Sequence, residues 1–205
     1  MRRYDRCEVL VRGTYPPGSI HLLFREERIR FPVAKCHFIQ AQYERTKSQT
    51  PSIFDGPLAH VRSFSTSDGH LHLDCQRSSY MECVGTNNTE YIKRFGRTRV
   101  VNPLSCGTVL KTSDQELRYG CRGGPSSTKK KYGLPARYVN PDSDRGYNRV
   151  EPLFTMAREL EEEIGILRDE IQLMRCLGLL EGEGTHLVFL TEVGSTSEDI
   201  GDKLP

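Results

Sequence analysis

The stretch Glu151-Pro-Leu-Phe-Thr-Met-Ala-Arg-Glu-Leu-Glu-Glu-Glu-Ile-Gly-Ile166 constrains this chain more than any other. Pro152 suits the first position of a helix, where no backbone N–H is needed. Leu153, Ala157, Leu160 and Ile164 recur at three- and four-residue steps and predict one buried helical face. Gly165 is suited to ending the helix. Glu159, Glu162 and Glu163 fall at i, i+3 and i+4 and share a second face, with Arg158 and Glu161 beside them. Like charges at that spacing cost a helix about 0.2–0.5 kcal/mol per pair, so the cluster asks for a cation. Grouped carboxylates suit Mg²⁺ or Mn²⁺, and Mg²⁺ is commonly held by carboxylates together with substrate phosphates. The plainer reading is a solvated acidic face on an amphipathic helix.

A chain of 205 residues, 36% hydrophobic and 27% charged, can bury a real core. It is long enough for one large domain, or one domain with a substantial extension. The formal net charge of +2 gives no general argument for nucleic acid or an anionic membrane. No apolar run approaches the roughly 20 residues needed to span a bilayer. The N-terminal stretch lacks the apolar segment of a secretory signal. Cysteines at 7, 36, 75, 83, 106, 121 and 176 form no CxxC pair, which argues against a zinc site. Their odd number favours a reducing compartment, and most read as small core residues. An intracellular, cytoplasmic location is therefore expected.

Along the chain, strands are expected at residues 7–12, 20–24 and 29–31, the last two around the charged turn Arg25-Glu-Glu-Arg28. A helix is expected over 34–47. Strands at 61–65 and 70–75 flank Asp68-Gly69, a strong hairpin signal. His70 and His72 would then point the same way, as an exposed polar face or, less simply, as a shared metal site. A short helix opens at Ser78 or Ser79 and is stopped by Gly85. Paired strands are expected at 103–111 and 116–122, then a long exposed loop over 123–149. Two further strands, 172–180 and 185–193, follow the acidic helix, and a helix begins at Ser197.

The order Arg158-Glu159-Leu160-Glu161-Glu162-Glu163-Ile164-Gly165-Ile166 resembles the second half of the Nudix box: Arg-Glu, an aliphatic, any residue, Glu-Glu, any residue, Gly, an aliphatic. The first half departs from the common box. Glu151 lies one residue closer to Arg158, and Pro135-Ala136-Arg137 stands where a PGG turn is usual. Ile53-Phe-Asp-Gly-Pro57, Ser79-Tyr80, Val84-Gly-Thr-Asn87 and Asn102-Pro-Leu104 narrow the likeness. Together they resemble the UDP-glucose pyrophosphatase branch of Nudix hydrolases, the Nudix motif twenty-two type, whose box has a stretched first half. The resemblance runs from roughly Ile53 to Ile200.

This resemblance implies an α/β (α+β) chain: a Nudix-type α/β/α sandwich with a mixed sheet over residues 100–205, preceded by a smaller α+β extension over 1–99. It implies Mg²⁺-dependent cleavage of the diphosphate in UDP-glucose or UDP-galactose, giving UMP and a sugar 1-phosphate. Glu162 and Glu163 are the first expected metal ligands and Glu159 the third. Arg158 is expected to orient Glu162 through an i,i+4 ion pair. Glu151 could join the site or cap the helix. Lys129, Lys130, Lys131 and Arg137 could meet phosphate, although a lysine run in such a loop is commonly just solvated. Tyr80 could stack on uracil or serve the core, and Thr86 and Asn87 could hydrogen-bond the base or ribose.

A Nudix domain continues past the strand at 185–193 with another strand and a packing helix, so the resemblance implies either that the C-terminal part of the fold is missing here or that a protein partner completes that edge. A side chain at Arg137 would crowd a metal. The alternative function is therefore a weakly active or inactive Nudix fold acting as a binding or scaffold subunit. Only the lysine run speaks for a nucleic acid partner, and the balanced charge speaks against one.

Overall fold

Two sheets, one three-stranded and one six-stranded, meet across a shared hydrophobic core. The computed structural model describes residues 7–118, 120–122, 131–146, 149–182 and 184–203. In chain order the elements are β1 (Glu8–Tyr15), β2 (Ile20–Arg28), α1 (Val33–Gln49), β3 (Pro57–Ser67), β4 (His70–Ser79), α2 (Tyr80–Thr86) and α3 (Thr89–Phe95). There follow β5 (Leu104–Lys111), β6 (Leu117–Arg118), β7 (Gly120–Arg122), β8 (Lys131–Gly133), β9 (Ala136–Tyr138), β10 (Arg145–Gly146) and β11 (Arg149–Val150). The chain continues through α4 (Pro152–Ile164), β12 (Ile171–Glu181), β13 (Thr185–Val193) and α5 (Ser197–Lys203). This is a mixed α+β protein, and none of its described helices is long and apolar enough to cross a membrane.

The larger sheet runs β1-β12-β13-β5-β6, and β9 also pairs with β5. Only the β5–β13 pair in it is parallel. A parallel pair cannot be closed by a hairpin. The intervening chain carries α4, which packs on β5 and β9. In the smaller sheet β4 is central, parallel to β2 and antiparallel to β3. Asp68 and Gly69 turn β3 into β4 with φ of 48° and 77°, as the Asp-Gly signal predicts.

The sheets are joined through β3. Val61 N–H donates to the Asn102 carbonyl at 2.8 Å, and Ala59 N–H to that of Val139 at 3.2 Å. Leu71 and Leu73 from the small sheet bury with Leu104, Leu160, Leu187 and Phe189. Residues on both sides of the 99/100 boundary thus meet in one core, and β1 pairs with β12 in the larger sheet.

Several sequence expectations change. Residues 20–24 and 29–31 do not form two strands around a charged turn. β2 continues through Arg25–Arg28 with a register shift against β4, and its charges find cross-strand partners there: Arg25 with Asp74 at 2.9 Å and Arg77 with Glu26 at 2.8 Å. Residues 123–149 are not one long loop. Residues 123–130 lie outside the described residues, but β9 enters the larger sheet. Three residues are too few to show an alternating pattern in sequence. α3, capped by Asn88 Oδ1 accepting from Tyr91 N–H at 2.8 Å, had no sequence expectation at all. β13 is hydrogen-bonded on both sides, to β12 and to β5.

α1 crosses close over α2 at Gly85. A Cβ there would lie 2.6 Å from Ile39 Cγ2 and 2.7 Å from Ile39 Cα. Ile39 is itself buried, so its backbone cannot retreat without moving α1. Gly85→Ala is expected to destabilise the fold by about 1–3 kcal/mol, measured by urea unfolding. A change within about 0.5 kcal/mol would mean that the two helices separate easily.

Candidate functional site

α4 is the platform. It starts at Pro152 and ends at Gly165 in the left-handed conformation, φ 74°. Its buried residues are Pro152, Thr155, Met156, Glu159, Leu160 and Ile164. The buried face is turned slightly from the one the apolar spacing predicts. Leu153 and Ala157 are only half-buried, while Glu159 faces inward with 4% of its surface exposed.

The structure brings the expected carboxylates together. Glu163 lies one turn on and acts on the Glu159 carboxyl. Burial, then the nearby Glu163 carboxyl, raise the Glu159 carboxyl from 4.5 to about 7. Glu162 is half-exposed and takes a different partner, Arg137. β9 lies antiparallel to β5 with Arg137 opposite Cys106, next to α4. The Arg137 guanidinium donates to Glu162 Oε2 and sits 3.5 Å from Glu159 Oε2.

Arg158 does something other than expected. Its Nε reaches Glu162 only at 3.9 Å and makes no hydrogen bond. Its main contact is an ion pair, Nη2 to Asp144 at 2.6 Å with Asp144 buried to 1% exposure, while Nη1 donates to Ser143 Oγ at 2.7 Å. Asp144 accepts in addition from Thr155 Oγ1 at 2.7 Å and from Asn140 N–H at 2.8 Å. The loop carrying it is tied from its other side by the Arg77–Asp142 ion pair. Sequence reasoning missed Asp144. It stands in a Gly/Pro/Asn-rich stretch and shares no periodicity with α4. Glu151 makes no side-chain cap for the helix and instead pairs with Arg149 at 2.8 Å.

The remaining candidates lie elsewhere. Tyr80 is half-buried against Leu58, Cys83 and Val101. Its ring centroid is 6.5 Å from that of Tyr138, the residue after Arg137. Thr86 is fully buried; its Oγ1 donates to the Glu82 carbonyl at 2.8 Å and accepts from Val101 N–H at 2.9 Å. Asn87 Nδ2 donates to the Val101 carbonyl at 2.6 Å. These bonds hold α2 to the segment entering β5. Lys129, Lys130 and the Lys131 side chain lie outside the described residues.

His70 and His72 share one side of β4, and His21 of β2 joins them. The His21 Nε2 to His70 Nδ1 distance is 2.8 Å, and the His21 ring is 4.9 and 5.0 Å from the other two. Among the described residues, no group of three or more His, Cys, Asp or Glu is arranged to hold a metal ion as it stands. Oxygen donors fit a hard divalent ion by type, and Glu159, Glu162 and Glu163 supply them. What departs from a metal cage is Arg137, which already binds Glu162. A cavity of about 350 Å³ opens by the N-terminal end of α4, lined by His21, Leu22, Arg149, Glu151 and Leu153 among others. Leu153 and Glu162 are nine residues apart on the helix, which puts them on opposite faces.

The fold and this cluster define a mixed α+β protein whose buried helix presents paired carboxylates and an arginine. No family model matches the chain, and no curated protein matches it.

Proposed function

We propose that this chain is a Nudix-type hydrolase that uses Mg²⁺ or Mn²⁺ to cleave the diphosphate of a nucleoside diphosphate sugar such as UDP-glucose or UDP-galactose. The products are UMP and a sugar 1-phosphate. The observation that carries this reading is the Glu159–Glu163 pair. A buried carboxyl with two more carboxyls acting on it from the same helix is costly to keep unless a cation is to be held. On this reading the six-stranded sheet with α4 is a Nudix sheet. Glu159, Glu162 and Glu163 hold the ion, which when bound neutralises phosphoryl charge and acidifies water. Asp144 and Arg158 fix α4 against the 140–144 loop. Tyr80 and Tyr138 offer aromatic faces, near Arg137 in the fold, to a flat base. The substrate class agrees with the intracellular location expected from the cysteines.

The test is direct. The chelator-treated chain with UDP-glucose and Mg²⁺ should release UMP, and excess chelator should stop the release. Absence of UMP at millimolar Mg²⁺ would remove the assignment. A second reading, a Nudix-type binding or scaffold subunit, is favoured by the Arg137 contacts with Glu159 and Glu162.

A further inference from the structure

Three imidazoles stand on one side of the three-stranded sheet. β2 and β4 run parallel with His21 opposite His72, and His70 lies two residues before His72 on the same side. His21 Nε2 lies 2.8 Å from His70 Nδ1, and the His21 ring stacks at 4.9 Å on that of His70 and at 5.0 Å on that of His72. We propose that this stack is a proton-operated lock: it ties the edge strand β2 to β4 while His21 and His70 hold at most one extra proton between them, and it lets β2 loosen when both are protonated. The lock is independent of the α4 carboxylates and of any metal.

The ring nitrogens dictate this behaviour. A neutral imidazole has one donor and one acceptor nitrogen, whereas an imidazolium has two donors. The 2.8 Å contact needs an acceptor on one side. With both rings protonated, two N–H groups and two positive charges face each other. The surroundings do not offset that charge. From β3, Ser67 Oγ meets His72 Nε2 at 3.2 Å and is neutral. From β11, Arg149 adds a positive charge against His21. Asp74, the next residue on that side of β4, is held by Arg25 at 2.9 Å and Arg62 at 3.4 Å, and Glu151 by Arg149 at 2.8 Å. Burial first, then the His70, His72 and Arg149 charges, lower the His21 pKa from 6.5. A histidine lowered on folding supports the fold above about 6.5 and loses that support as the pH falls. β2 is the edge of its sheet and forms one wall of the cavity beside α4, through Ile20, His21 and Leu22. Release of the lock therefore reaches that cavity in mildly acidic solution.

The experiment follows the imidazole NMR signals of the full chain from neutral to mildly acidic pH, with the exposed His37 on α1 as an uncoupled reference. His21 and His70 are expected to take up two protons with affinities about tenfold or more apart. Hydrogen exchange of the β2 amides, relative to their intrinsic rates, then reads the lock. Opening of β2 should rise about tenfold between about pH 7.5 and pH 5 in the wild type. It should stay level in His70→Gln, whose side chain can hydrogen-bond His21 without titrating. Independent titrations of His21 and His70 overturn the lock, and so does an equal rise in β2 exchange in both proteins. If His70→Gln does not fold, the wild type decides alone: β2 opening that follows the second proton supports the lock, and opening that does not follow it overturns it.

Discussion

Asp144→Ala is expected to lower the unfolding free energy by about 3–5 kcal/mol, the range for breaking one partner out of a buried ion pair. Asp144 is 1% exposed and faces Arg158 at 2.6 Å. Without the carboxylate, Arg158 keeps only Ser143 and a distant Glu162, and its buried Nε already lacks a hydrogen bond. Thr155 Oγ1 and Asn140 N–H lose their acceptor in the same step. Each buried donor left unpaired costs about 1–3 kcal/mol, and these losses are part of that range. Asp144→Asn retains an acceptor oxygen but turns an amide donor toward a guanidinium, so an intermediate loss is expected. Urea unfolding of the three proteins at neutral pH checks the series. A loss below about 1 kcal/mol for Asp144→Ala would show that the 140–144 loop is held to α4 by other contacts.

Glu159→Gln is expected to stabilise the metal-free protein at pH 8 and to leave it nearly unchanged at pH 4.5. A carboxyl whose pKa is raised on folding binds its proton more tightly in the folded state. Its support for folding is present below its unfolded value of 4.5 and is lost as the pH rises through about 7. A carboxyl held near 7 rather than 4.5 corresponds to about 3 kcal/mol of lost stability at pH 8. Gln is neutral at every pH and so removes the charge that burial and Glu163 disfavour. The variant should therefore show a flatter stability curve from pH 4.5 to 8 and exceed the wild type by about 2–3 kcal/mol at the upper end. Parallel curves for the two proteins would mean that Glu159 does not take up its proton near neutrality. Loss of the 3.5 Å contact with Arg137 works against the gain, which sets the expectation at or below the full value.

Much of α4 was legible before any coordinates. Pro152, the apolar steps and Gly165 act locally, through backbone geometry and one amphipathic face, and the helix starts and stops where they predict. The Asp68-Gly69 hairpin and the strands around residues 181–184 were legible for the same reason. The carboxylate cluster was legible because residues three and four apart on a helix are neighbours whatever surrounds them. The orientation of the helix was not. Glu159 faces inward because α4 is rotated against β5 and β9, which lie far from it in sequence.

The helix, its clustered carboxylates and the hairpins depend on bonds between near neighbours along the chain, and so were fixed locally. Their partners were set by packing between distant segments. Arg137 comes to Glu162 across 25 residues through a strand too short to show periodicity. Asp144 takes Arg158 away from the i,i+4 pair because a buried carboxylate at 2.6 Å outcompetes a half-exposed one at 3.9 Å. Both outcomes are set by non-local packing, which places charges at distances that spacing along the chain does not encode.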